Sequence, residues 1–220
     1  MATETFDELR KAALAHLWMN SRQWNDMAAD GGLTIIVEGD GVKVRDLEGR
    51  EYYDGNSGAF LVNVGHGRKE IADAVHRQLT TLAYASTFIY PTIPSIKLAE
   101  KVASIAPGDL NRVFLTSGGS EAVETALKMA RQYHILNGQS NRTKFIARRG
   151  SFHGVTMGAL SVNGAPSVRR HLYEPMLPGV RHVGHVYCYR CPWGLAYPSC
   201  ALTCAQEFER AIQFEGPDSV

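Results

Sequence analysis

The residues best placed to do chemistry stand together: Thr116, Ser117, Gly118, Gly119, Ser120 and Glu121. An apolar run, Arg112-Val113-Phe114-Leu115, leads into them, and Ala122 to Lys128 continues with helical spacing. The pattern predicts a strand, a turn of small residues and an amphipathic helix. The first N–H groups of a helix have no intrahelical acceptor, and the helix dipole leaves positive charge there. Such an end takes a phosphate without any lysine or arginine. Gly118 and Gly119 leave the backbone open to an anion, and Ser120 either caps the helix or donates to a phosphate oxygen. A plain capped helix after a tight turn is the other reading of the same residues. Two nucleotide motifs are excluded. A P-loop ends in Gly-Lys-Ser/Thr where this chain has Gly-Ser-Glu, and a dinucleotide fingerprint needs a third glycine that is missing. A phosphate-bearing cofactor other than a nucleotide fits better.

The elements that must position this turn follow from periodicity. Phe6 to about Met19 reads as a helix through Phe6, Leu9, Ala13, Leu14 and Leu17. Residues 33–53 read as a small antiparallel unit, with strands at 34–38, 42–46 and 51–53 around turns at 39–41 and 47–50. Residues 54–58 form a loop. Lys69 to Leu82 is helical, with Ile71, Val75 and Leu79 on one stripe, and Pro94 opens a helix to Ala106. A strand at Val113, a helix from Glu121 to Asn137 ended by Gly138, and a short strand at 144–147 complete the pattern. Gly150-Ser-Phe-His-Gly154 is a second small-residue turn after a strand. Alternating strands and helices predict an α/β fold with a doubly wound, mostly parallel sheet and ligands at the carboxyl ends of its strands.

The 220 residues are 45% hydrophobic and carry a net charge of +1, from 23 basic and 22 acidic side chains. No basic face asks for nucleic acid, and no apolar run is long enough to span a membrane. The acidic N-terminus lacks a signal-peptide core, so a cytoplasmic location is expected. Cys188, Cys191, Cys200 and Cys204 follow a C-x2-C, eight-residue, C-x3-C pattern. It reads either as a zinc knuckle or as reduced thiols packed in an ordered loop, with Cys204 already on the next helix.

Taken in order, four segments resemble the class III (omega) aminotransferases, pyridoxal-phosphate enzymes of fold type I. They are Asp54 to Gly67, Thr116 to Lys128, Arg149 to Ser161 and Tyr189 to Cys200. The last resembles a loop of one branch of the family in which it is not a metal site, so no metal is expected. By position, the resemblance implies that Gly118, Gly119 and Ser120 hold the phosphate of pyridoxal 5'-phosphate. It places Phe152, where the family often has tyrosine, flat against the pyridine ring. His153 beside it either helps orient the ring or is a structural histidine. Phe60, with the small Ala59 beside it, falls where the family has a substrate-pocket aromatic, Phe88 and Ile89 fall in a segment that reaches the neighbouring subunit's pocket in family dimers, and Tyr84 and Trp18 are further pocket candidates; ordinary core packing is their alternative. Residues 1–58 correspond to part of a small domain, and 59–220 to the N-terminal portion of the cofactor-binding large domain.

The family's lysine that forms the Schiff base, the aspartate on the ring nitrogen and a further acidic residue have no counterpart among these residues. The seven lysines, Lys11, Lys43, Lys69, Lys97, Lys101, Lys128 and Lys144, fall on solvated helix faces, in the N-terminal part, or at the wrong end of a strand. No catalytic residue is therefore assigned to this chain. The resemblance implies a split aminotransferase in which this is the N-terminal subunit. A second polypeptide carries the C-terminal half, two such pairs make a dimer, and an amino group passes from a primary amine or amino acid to a keto acid. A decarboxylase, racemase or aminomutase on the same scaffold, or a non-catalytic assembly or regulatory subunit, are the alternatives.

Overall fold

The computed structural model describes residues 5–20, 22–29 and 33–220. It separates into two compact units, one ending at Ser95 and one beginning at Ile96.

The first unit opens with α1, Phe6–His16. Thr5 and Glu8 close a capping box at its start: Thr5 Oγ1 accepts from the Glu8 N–H at 3.3 Å, and Glu8 Oε2 accepts from the Thr5 N–H at 2.8 Å. Leu17 leaves the helical region, so the helix stops short of Met19. Then come α2 (Trp24–Ala29) and an antiparallel sheet of β1 (Ile36–Asp40), β2 (Lys43–Asp46) and β3 (Glu51–Tyr53) in that order. Asp46 ties the second turn shut. Its Oδ1 accepts from the N–H groups of Glu48 and Arg50, and its Oδ2 from Arg50 Nε at 2.7 Å and the Tyr52 hydroxyl at 2.8 Å. A single turn, α3 (Ser57–Phe60), and the helix α4 (Lys69–Thr81) follow. The boundary between units falls within α5 (Ile93–Ile105), whose start Thr92 and Ser95 cap reciprocally.

The second unit holds α6 (Gly119–Leu136), β4 (Phe145–Arg148), α7 (Met157–Val162), β5 (Val180–Val183) and α8 (Thr203–Glu215). β4 and β5 pair in parallel, Phe145 opposite Val180 and Arg148 opposite Val183. They form a β-α-β unit closed by α7, with Ala147, Ala159, Leu160, Val162 and Val183 as its buried apolar residues. The expected strand at Val113 does not form: residues 111–116 carry no ladder among the described residues, and Phe114 is 70% exposed. Apolarity signals a strand only where a neighbour accepts its N–H groups, and that neighbour is not read from periodicity. No helix among the described residues is long and apolar enough to cross a membrane.

Candidate functional site

The N-terminus of α6 is open. Gly118 sits at the N-cap in extended backbone, and among the described residues no side chain caps the helix. The Gly118 carbonyl takes the Ala122 N–H at 3.0 Å, but among the described residues nothing accepts from the N–H groups of Gly119, Ser120 or Glu121. A Cβ at Gly119 would meet no atom within 4 Å, so the approach to these donors is clear. The Glu121 carboxylate lies to one side, 2.9 Å from where a Cβ on Gly118 would stand.

The second small-residue turn is locked against this helix end. Ser120 Oγ accepts from the Val155 N–H at 3.1 Å, which leaves the hydroxyl proton free to be given away. Gly154, with φ of +128°, passes so close that a Cβ there would lie 2.6 Å from Ser120 Oγ. The buried Asn163 holds the Gly154 carbonyl through Nδ2 at 2.9 Å. Phe152, two residues earlier, is 64% exposed, and His153 is half-buried. The structure thus brings Gly118, Gly119 and Ser120 together with the loop that carries Phe152 and His153. Three free backbone donors and a hydroxyl proton suit a phosphate; an exposed flat ring suits an aromatic face.

The other helix start in this region offers no such donors. Glu124 Oε1 accepts from Thr156 Oγ1 at 2.7 Å, from the Gly158 N–H at 2.7 Å and from the Ala159 N–H at 3.2 Å. The Thr156 hydrogen bond leads in holding its carboxyl below the usual range, against the opposing effect of desolvation. Sequence reasoning missed Glu124. It sits on the outward side of α6 by periodicity, and only the fold brings Thr156 to it.

The expected pocket residues lie in the first unit. Ala59 and Phe60 belong to α3, where Ser57, Gly58, Ala59 and Phe60 have φ of 48°, 57°, 65° and 69° in succession. That is a left-handed turn, and Phe60 stands 79% exposed on it. Asp54 braces the turn: Oδ1 accepts from the Asn56 N–H, and Oδ2 meets His66 Nε2 at 2.9 Å. The His66 hydrogen bond leads in depressing the Asp54 pKa. Phe88 and Trp18 are exposed as well, Trp18 on the rim of an open groove of about 650 Å³ that Trp24 and Met27 also line. None of Phe60, Phe88 and Trp18 is packed in a core.

Several lysines are engaged elsewhere. Lys43 pairs with Glu51, Lys69 with Asp73, Lys97 with Glu100, and Lys144 with Glu215 at 2.8 Å. The four cysteines are free thiols, and among the described residues no three His, Cys, Asp or Glu side chains group as a metal site requires.

The family model described as aminotransferase class-III matches residues 26–216. A probable aminotransferase of Mycobacterium tuberculosis is 47% identical over 186 residues, which cover 84% of this chain and 40% of that protein. A beta-alanine–pyruvate aminotransferase of Pseudomonas aeruginosa is 44% identical over 151 residues, 69% of this chain and 33% of its own length. Among solved structures, an (S)-enantioselective omega-transaminase from Thermomicrobium roseum superposes with a TM-score of 0.93 at 37% identity, over 99% of this chain and 48% of that one. The chain therefore spans less than half the length of these relatives.

Proposed function

From the chain's membership of the class III aminotransferases, which the match over residues 26–216 establishes, we propose that it is the half of such an enzyme that grips the cofactor. Its architecture is the corresponding part of the fold type I α/β fold, and the family uses pyridoxal phosphate. In this reading the N–H groups of Gly119, Ser120 and Glu121, with the Ser120 hydroxyl, hold the phosphate. The Val155 N–H holds the Ser120 oxygen and leaves the hydroxyl proton free for the phosphate. Phe152 covers one face of the ring and keeps water from it, with His153 alongside. Ala59, Phe60, Phe88 and Trp18 wall the substrate pocket, residues 1–58 belong to a small domain and 59–220 to the large one. When bound, the cofactor supplies an aldehyde carbon for the amine and a ring that accepts the electron pair released at the substrate carbon.

The proton transfer needs a lysine, and none of this chain's lysines stands in the turn that holds the phosphate. A second polypeptide supplies it in this proposal, along with the aspartate for the ring nitrogen, and two such pairs form a dimer. An amino group from a primary amine or amino acid then passes to a keto acid, as the names of the omega-transaminase and beta-alanine–pyruvate relatives suggest.

One observation carries the reading: beside the open face of Gly119 stand three N–H groups that have no acceptor among the described residues. Gly119→Val tests it, because a Cβ there has no atom of the described residues beyond its own helix and chain neighbours within 4 Å, so the substitution should spare the fold while filling the approach. The wild type is expected to bind pyridoxal phosphate saturably, followed by its absorbance, and the variant at least about tenfold more weakly, the scale of one lost charge-assisted hydrogen bond. Equal binding by the two proteins would refute the phosphate assignment.

A further inference from the structure

Glu124 joins two parts of the site that the cofactor must touch at once. It stands on α6, one turn beyond the open N-terminus, and its Oε1 takes the Thr156 hydroxyl and the Gly158 and Ala159 N–H groups, so it caps α7 from outside. The segment from Phe152 to Thr156 is thereby pinned at one end by Glu124 and in the middle by the Ser120–Val155 and Asn163–Gly154 hydrogen bonds. The fit is tight: a Cβ on Gly158 would lie 2.2 Å from Glu124 Oε2. We infer that Glu124 is a positioning residue, which sets the distance and tilt of the Phe152 ring relative to the phosphate-holding end of α6 without touching the cofactor itself. The inference rests on the cofactor site proposed above.

Its low carboxyl pKa keeps Glu124 ionised and able to accept all three bonds at neutral pH. Inorganic phosphate senses only the end of α6, whereas pyridoxal phosphate senses that end and the ring. The two ligands therefore separate positioning from mere folding. Phosphate and pyridoxal phosphate are titrated into the full 220-residue chain and into Glu124→Ala, Glu124→Gln and Gly158→Ala, with amide exchange followed at residues 154–159. In Glu124→Ala, pyridoxal phosphate should bind about three- to tenfold more weakly, the worth of a misplaced aromatic face. Phosphate affinity should hold within about twofold, since removing a nearby negative charge does not weaken an anion. Amides 154–159 should exchange faster. Glu124→Gln keeps an oxygen where the three donors point and should restore both readouts; Gly158→Ala displaces the carboxylate and should mimic Glu124→Ala. Unchanged pyridoxal phosphate affinity in Glu124→Ala overturns the inference while leaving the site intact. Parallel loss of both ligands also overturns it, by making Glu124 a fold residue. Failure of the wild type to bind pyridoxal phosphate removes the underlying reading and the inference with it.

Discussion

Ser120 shows how much of a site one side chain can settle. The motif leaves it as either a helix cap or a phosphate donor, and only the fold shows its oxygen already accepting from Val155, with its proton left over. Gly154 was legible as a turn glycine, yet the reason for it is the 2.6 Å that a Cβ would leave to Ser120 Oγ. Gly154→Ala should therefore destabilise the second unit by about 1–3 kcal/mol, as overpacking does. It should also weaken pyridoxal phosphate binding, whereas Gly119→Ala, whose Cβ meets nothing, should leave the melting temperature nearly unchanged. Parallel melting curves decide this. Asp46 gave no signal in the sequence beyond its place at the end of a strand. Burial pushes its carboxyl up, but the bonds from Arg50 and Tyr52 prevail and bring it from the ordinary 3.8 to about 2. A depressed pKa contributes stability above the unfolded value, lost as pH falls through the folded one. Asp46→Asn should therefore speed amide exchange at residues 48–50 at pH 7, and the gap to wild type should close between pH 3.8 and about 2.

Elements were legible where they carry their own periodicity or caps. The helices at 69–81, 93–105 and 119–136 and the three antiparallel strands lie within a few residues of where the pattern puts them. β5 and α7 were not, because both are short, and α7 borrows its cap from Glu124 across the fold. The left-handed turn at Ser57–Phe60 overlaps a stretch that the sequence marks only as a loop over 54–58, since nothing in Ser-Gly-Ala-Phe asks for four positive φ values running. A non-glycine residue in that region costs about 1–2 kcal/mol, and such strain persists only where the surroundings enforce it. The Asp54 carboxylate, bonded to Asn56 and His66, braces the segment that enters the turn, and the Phe60, Leu61 and Val62 N–H groups bond back to the Asn56 and Ser57 carbonyls. Ala59→Gly should relieve the strain, offset by about 0.5–1 kcal/mol of extra freedom in the unfolded chain. The net gain is about 1 kcal/mol or less, a rise of up to roughly 5 °C in the melting of the first unit. A fall in melting temperature would show that the turn is not strained at Ala59.

At the scale of the whole molecule, what is uncovered matters more than what is packed. Ile71, Val75 and Leu79 form the apolar stripe of α4 that the sequence marks as a buried face, yet they are 48%, 52% and 55% exposed. Phe88 and Phe214 are at least 90% exposed, and among the described residues the β4–β5 sheet has two strands. Each buried apolar side chain contributes about 1.5–3 kcal/mol, so these surfaces store a large driving force for association. The sequence could mark the faces but not their cover, because periodicity reports that a stripe is buried and not by what. The proposed second polypeptide answers both the open faces and the missing lysine. On its own, the chain should therefore bind a hydrophobic dye strongly and self-associate in sedimentation. With a polypeptide that carries the lysine half, dye binding should fall, a discrete dimer of pairs should sediment, and amine-to-keto-acid transfer should appear only in the mixture. Sedimentation and the transfer assay give independent answers. A dye-silent, monodisperse monomer in the absence of any partner would remove the reason for the second polypeptide. A well-formed pair without transfer would instead direct attention to the non-catalytic alternative, with the phosphate turn serving assembly.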